Sequence, residues 1–166
     1  MLPILILFIA SLTPESSNLL FRKPAGCDFF SRQNAEKILT TEVSWTGTDA
    51  TEGEPKKWTC TFIPKQNSEG PKLYFGLHRF TTVENARGEF EAIVASNKGH
   101  KGFEKLEGIG DDAIVHTDGS NFQLVIVRKG VRSFRIKVNP AGSTSIESVK
   151  AVAEDLVRKL DHITAE

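Results

Sequence analysis

Cysteine is scarce in this 166-residue sequence: Cys27 and Cys60 are the only two. That number excludes a four-cysteine zinc site and a miniprotein held together by many disulfides. Net charge is missing as well. The 21 Lys and Arg balance the 21 Asp and Glu, so the chain lacks the basic surplus of a general nucleic-acid binder. There is also no long apolar run. The longest, Leu2 to Ala10 (LPILILFIA), ends at Ser11, Thr13 and Pro14, and at 1.5 Å per residue it covers less than half of a hydrocarbon core about 30 Å thick. No integral membrane span is therefore expected in the mature chain. What remains is ordinary for a globular protein: 39% hydrophobic and 25% charged residues, enough for one core in one domain.

The short apolar run suits the hydrophobic region of a signal peptide. No Lys or Arg precedes Arg22, so the basic region of such a peptide, and the true start, are expected upstream. The expected organisation is a signal peptide and linker over residues 1–26 and a single domain over residues 27–166. The alternative for the run is a buried strand. Pro24-Ala25-Gly26-Cys27 has the small-small-Cys ending of a lipobox, but Arg22 and Lys23 separate it from the apolar run, which disfavours a lipid anchor at Cys27. In an exported chain, periplasmic or extracellular, a Cys27–Cys60 disulfide is permitted. Two free buried thiols are the alternative.

The pattern along the domain predicts helices alternating with β-hairpins. Ser31 can cap a helix to about Thr40. Val43 to Trp45 reads as a short strand, and Lys57 to Ile63 and Leu73 to Leu77 alternate as half-buried strands, with Trp58, Cys60, Phe62, Leu73, Phe75 and Leu77 inward and Tyr74 and His78 opposite. Thr81 to Glu84 and Thr144 to Glu147 have capping-box spacing, each opening a helix. Between them lie a short strand (Ala113 to His116) and a hairpin of Phe122 to Arg128 with Val131 to Val138. The class this implies is α+β: a single domain with an antiparallel sheet, helices packed against it, two helix-plus-hairpin units and a C-terminal amphipathic helix. The two units suggest a distant internal duplication, with no residue-level repeat to support it.

Few residues carry recognisable chemistry. Gly108-x-Gly110-x-x-Ala113 has the letters of a dinucleotide fingerprint, but it follows a polar segment and leads into β structure, and Asp111 and Asp112 would repel a phosphate. It reads as a turn, and no cofactor is expected. Asp111, Asp112, His116 and Asp118 form a loose acidic cluster that would serve a hard cation if its oxygens converged; a solvated turn is the alternative. No nucleophile–histidine–carboxylate arrangement emerges, so no catalytic residue is assigned. Arg128, Lys129, Arg135 and Lys137 mark a candidate basic patch on the hairpin for an anionic ligand or an acidic protein. The alternative is cations guarding a strand against edge pairing.

Taken together, Cys27-Asp28-Phe29-Phe30, Cys60, the Gly108 to Ala113 turn, the Val127 to Gly130 hairpin (VRKG) and the Val149 to Leu160 helix resemble a group of small exported bacterial domains that includes lipoproteins and extracytoplasmic sensor-like modules. The resemblance spans most of residues 27–160. It implies paired cysteines and a domain that binds or senses something outside the cytoplasm, and it carries over no catalytic residues. The leading expectation is thus an exported, non-catalytic binding domain. An extracytoplasmic hydrolase or metal enzyme using Asp111, Asp112 and His116 is the runner-up, and a secreted enzyme inhibitor is a third reading.

Overall fold

Alternation of apolar and polar side chains fixes which face of a strand is buried, and it is clearest at Trp58, Cys60 and Phe62 and again at Phe134, Ile136 and Val138, whereas Leu124 to Val127 run apolar without a break. The computed structural model describes residues 25–48 and 50–163. The expected signal peptide lies outside these residues, and of the linker only positions 25 and 26 fall inside, as the start of a helix. In chain order the elements are α1 (Ala25–Phe29), α2 (Arg32–Leu39), β1 (Val43–Thr48), β2 (Lys56–Pro64), β3 (Lys72–Arg79), α3 (Val83–Asn97), β4 (Phe103–Leu106), β5 (Asp112–Asp118), β6 (Phe122–Lys129), β7 (Arg132–Asn139) and α4 (Ile146–Ile163).

The strands form one antiparallel sheet in the order β1-β2-β3-β7-β6-β5-β4, giving the α+β single domain that the pattern implies. Two meanders, β1 to β3 and β4 to β7, are each built from neighbouring hairpins. They meet where β3 pairs with β7, from Lys72 opposite Asn139 to Arg79 opposite Arg132. The sequence reading missed two elements. α1 is only five residues long, below the length at which helical periodicity shows. β4 is half-buried at Phe103 and Leu106 and exposed between them, and four residues in this pattern do not establish alternation.

Both capped helices start one residue later than the box spacing suggests. Thr82, not Thr81, accepts the Asn85 amide, and Ser145, not Thr144, accepts the Glu147 amide. A neighbouring hydroxyl can take the cap without changing the helix that follows.

The main core lies on one sheet face beneath α1, α2 and α4. Phe62, Phe75, Phe134 and Ile136 from the sheet meet Phe30, Ile38, Val152 and Leu156, all essentially fully buried. Phe30 stacks on Phe75 with ring centroids 4.6 Å apart and lies 5.3 Å from Phe62. Cys27 on α1 is bonded to Cys60 on β2, so the disulfide pins the first helix onto the sheet, and Phe30 seats beside it. α3 packs on the opposite face through Phe90, which meets Ile114 and Ile126. Because α2 and α3 lie on opposite faces, the two helix-plus-hairpin units are not copies of one arrangement.

Helix α3 covers only part of its face. Over β1, β2 and β3 the side chains on that side are Thr46, Thr48, Thr59, Thr61 and Tyr74, exposed or half-buried. Among the described residues no helix is long and apolar enough to cross a membrane.

Closing the loop between cysteines 33 residues apart should contribute about 3–4 kcal/mol through the unfolded chain. The unreduced, denatured protein should therefore show no reactive thiol, and the Cys27→Ala/Cys60→Ala double variant should lose about that much stability in urea unfolding. Two titratable thiols in the unreduced protein would show that the bridge is absent in solution.

Candidate functional site

The Gly108–Asp112 turn takes its shape from two glycines with positive φ, 78° at Gly108 and 66° at Gly110. A Cβ on Gly110 would lie 2.6 Å from the Arg128 carbonyl oxygen, so only glycine lets the turn lie against β6. The Asp111 amide then donates to that same carbonyl at 2.9 Å. A strand, not a helix, follows the turn, so no helix N-terminus is available here for a pyrophosphate.

This close approach brings the acidic turn onto the basic hairpin, and the two neutralise each other. Arg128 is only 4% exposed. Its Nη1 donates to Asp111 at 3.1 Å and its Nε to Asp112 at 2.7 Å. The Gly130 amide donates to Asp111 at 2.8 Å. Lys129 points to the other face, bridging Asp111 at 3.6 Å and Asp161 of α4 at 3.1 Å. Burial opposes ionisation of Asp111, but the Gly130 amide, Arg128 and Lys129 outweigh it and hold its carboxyl below the ordinary value. The carboxylate of Asp161 above all, then that of Asp111, pushes the Lys129 ammonium up.

The candidate metal cluster is accordingly taken apart. Asp111 and Asp112 face Arg128, and Asp118 accepts from Asn121 at 2.9 Å. His116 packs edge-on between Phe103 and Phe122, with centroids 5.9 and 5.0 Å away. Among the described residues no three His, Cys, Asp or Glu side chains are gathered as a cation requires. The Arg128 guanidinium binds the two carboxylates that the cluster would have offered.

The basic patch divides in the same way. Arg128 and Lys129 are committed to carboxylates, whereas Arg135 and Lys137 lie on the sheet face that α3 leaves open. Their strand, β7, is central, paired with β3 and with β6. Cations there cannot be guarding an edge. Arg135 lies across Gly76, where a Cβ would meet its Nε at 2.9 Å. Lys137 sits opposite Tyr74, with its ammonium 5.2 Å from the Phe122 ring centre.

These side chains line a groove of about 470 Å³ with Thr59, Thr61, Tyr74 and Leu124 among its walls. Tyr74 is 41% exposed, a large hydrophobic side chain left on the surface. Two other hollows are less suited to a charged ligand. The one between the end of α2 and the start of α4 has no charged side chain in its wall. In the one beside Thr81, Glu54 sits with Lys56 and Arg79.

Next to the groove, sharing Gly76, Ile126 and Arg135 with it, is a cavity of about 30 Å³ walled also by His78, Glu89 and Ser133. His78 on β3 is 7% exposed. Its Nδ1 is 3.0 Å from a Glu89 oxygen on α3, and Ser133 Oγ donates to the other oxygen of Glu89 at 3.2 Å. The hydrogen bond with His78 does most to hold the Glu89 carboxyl below its ordinary value, against burial and with help from Ser133 and Lys57. The His78 Nε2 is buried with no partner, a deficit worth about 1–3 kcal/mol in a folded protein.

Sequence reasoning placed His78 on the right face but assigned it no role. The signal is a long-range juxtaposition of β3, α3 and β7, which no local spacing encodes. No protein-family model and no curated protein matches the chain at a significant level.

The folded Asp111 carboxyl titrates below the unfolded one. Its contribution is therefore full above the unfolded value of about 3.9 and is lost as pH falls through the depressed folded value. Asp111→Asn should cost on the order of 1 kcal/mol near pH 7, discounted because the side chain is 37% exposed. The gap to the wild type should shrink toward pH 2 in chemical denaturation. A gap that stayed constant with pH would show that the carboxylate's charge is not what holds the turn.

Proposed function

We propose that this chain is an exported, non-catalytic binding module whose open sheet face receives an acidic polysaccharide. The observation that carries the reading is the contrast between the two pairs of cations. Arg128 and Lys129 are neutralised by Asp111, Asp112 and Asp161. Arg135 and Lys137 line a groove with no carboxylate in its wall. A positive, concave strip without counter-charges favours an anionic occupant.

The hydroxyls of Thr59 and Thr61 and the exposed ring of Tyr74 favour a saccharide over an acidic peptide. Hydroxyls can exchange hydrogen bonds with sugar hydroxyls, and an aromatic face gives a ring something to lie on. A disulfide supports an oxidising compartment outside the cytoplasm. Ser133, the hydroxyl that lies beside a carboxylate, is buried and gives its hydrogen to Glu89, which supports binding over hydrolysis.

The reading predicts retention on a dextran sulfate or polygalacturonate matrix at low salt, with the sulfated and carboxylated matrices distinguishing which acid is preferred. Arg135→Glu/Lys137→Glu should weaken binding by at least about tenfold, the effect of losing two charge contacts. Lys129→Ala, outside the groove, should bind as the wild type does. Equal retention of the charge-reversed variant would refute the reading. Binding to poly-glutamate but to neither glycan would replace it with an acidic protein partner.

A further inference from the structure

We infer that the small cavity behind Arg135 is the groove's innermost subsite, taking one oxygen of the ligand's acidic group, and that His78 holds this oxygen as an imidazolium. The inference rests on the anion-binding reading of the groove and adds to it a specific residue and a dependence on protons. Three observations converge. The cavity, about 30 Å³ in volume, shares Gly76, Ile126 and Arg135 with the groove, and this is space for one water-sized group. The imidazole is fixed from behind, with Nδ1 on Glu89 and Glu89 in turn on Ser133. The remaining ring nitrogen, Nε2, is the buried side-chain polar atom of this wall without a partner.

The charge balance around the ring gives the sign. On the same sheet face, His78 is flanked across the strands by Lys57 of β2 and Ser133 of β7. Arg128 of β6 lies beyond Ser133, Arg135 is one pair along β7, and Glu89 reaches down from α3. Arg128 is already neutralised by Asp111 and Asp112, and Glu89 is shared between the ring and Ser133. In the neutral ring, with Nδ1–H donating to Glu89, Nε2 offers a lone pair that repels an anionic oxygen. Protonation turns Nε2 into a donor and leaves the ring as an ion pair with Glu89, so the oxygen meets an N–H and Arg135 together. Binding and protonation therefore favour each other.

The test is equilibrium binding of labelled dextran sulfate to the full chain at fixed ionic strength from pH 8 to pH 5, the interval in which imidazoles titrate. Sulfate esters keep their charge throughout this range, so any slope belongs to the protein. The wild type should tighten by about tenfold toward pH 5, a typical coupling between two sites. His78→Gln should flatten the profile, although His100, His116 and His162 remain in the chain. A slope that persists in His78→Gln, or a wild type that binds without a slope, overturns the inference and leaves the anion groove standing. No binding at any pH overturns both. Independently of any variant, the NMR titration midpoint of the His78 ring should move to higher pH when dextran sulfate is added, and an unmoved midpoint also overturns the inference.

Discussion

The pairing of β3 with β7 is the contact on which the rest of the molecule depends. Each meander can assemble from hairpins close in sequence, but neither has a complete core alone. Phe75 and Phe134 lie on facing strands of this junction, and Leu73, Leu77, Ile136 and Val138 extend the apolar surface on either side. Joining the strands creates the face on which α1, α2 and α4 close. It also aligns the opposite face, where Tyr74 meets Lys137, Gly76 meets Arg135 and His78 meets Ser133. The period of two along a strand means that one register fixes both faces at once. A one-residue slip would bury Arg135 and expose Phe134.

Charge is distributed with the same economy. A neutral chain could scatter its ions over the surface, where isolated pairs contribute little. Here one guanidinium is nearly excluded from solvent and bound by two carboxylates of a glycine turn. A buried charge is tolerable only when it is paired and hydrogen-bonded, and Arg128 meets that condition through Asp111 and Asp112. This knot ties the start of β5 to the end of β6 and, through Lys129, to α4. The cations are thereby separated by role: Arg128 and Lys129 are taken by the acidic turn, while the wall of the groove that Arg135 and Lys137 line holds no carboxylate. The same accounting separates a structural arginine from those that could meet a ligand.

The disulfide and the aromatic stack act on the short helix α1 in a similar way. Five residues do not make a stable helix in water. Here Cys27 is held covalently to β2, and Phe29 and Phe30 flank Phe75, with ring centroids 6.1 and 4.6 Å away. Tertiary anchoring rather than helical propensity keeps this segment in place. That is why the pattern of residues around Cys27 gave no sign of a helix, while the amphipathic stripe from Val149 to Leu160 was legible from its spacing alone.

The division between the two kinds of information follows the range of the interactions. Alternation determined which side chains of β2, β3 and β7 face inward, because that depends only on the pleat, but it gave no inward set for β6, which is apolar from Leu124 to Val127. The Lys129-Gly130 turn determined the β6–β7 hairpin, because its partners are adjacent in the chain. The sequence by itself left Cys27 and Cys60 as each other's one candidate partner, with a bridge or two free thiols both open until the fold set them side by side. It read Arg128, Lys129, Arg135 and Lys137 as one patch, and Asp111, Asp112, His116 and Asp118 as one cluster. Only the tertiary structure placed α3 on the face opposite α2, brought Glu89 onto His78, and split each of those groups by what it packs against. Sequence proximity measures distance along the chain. Neutralisation, burial and an unpartnered nitrogen are set by segments that meet only when the sheet closes.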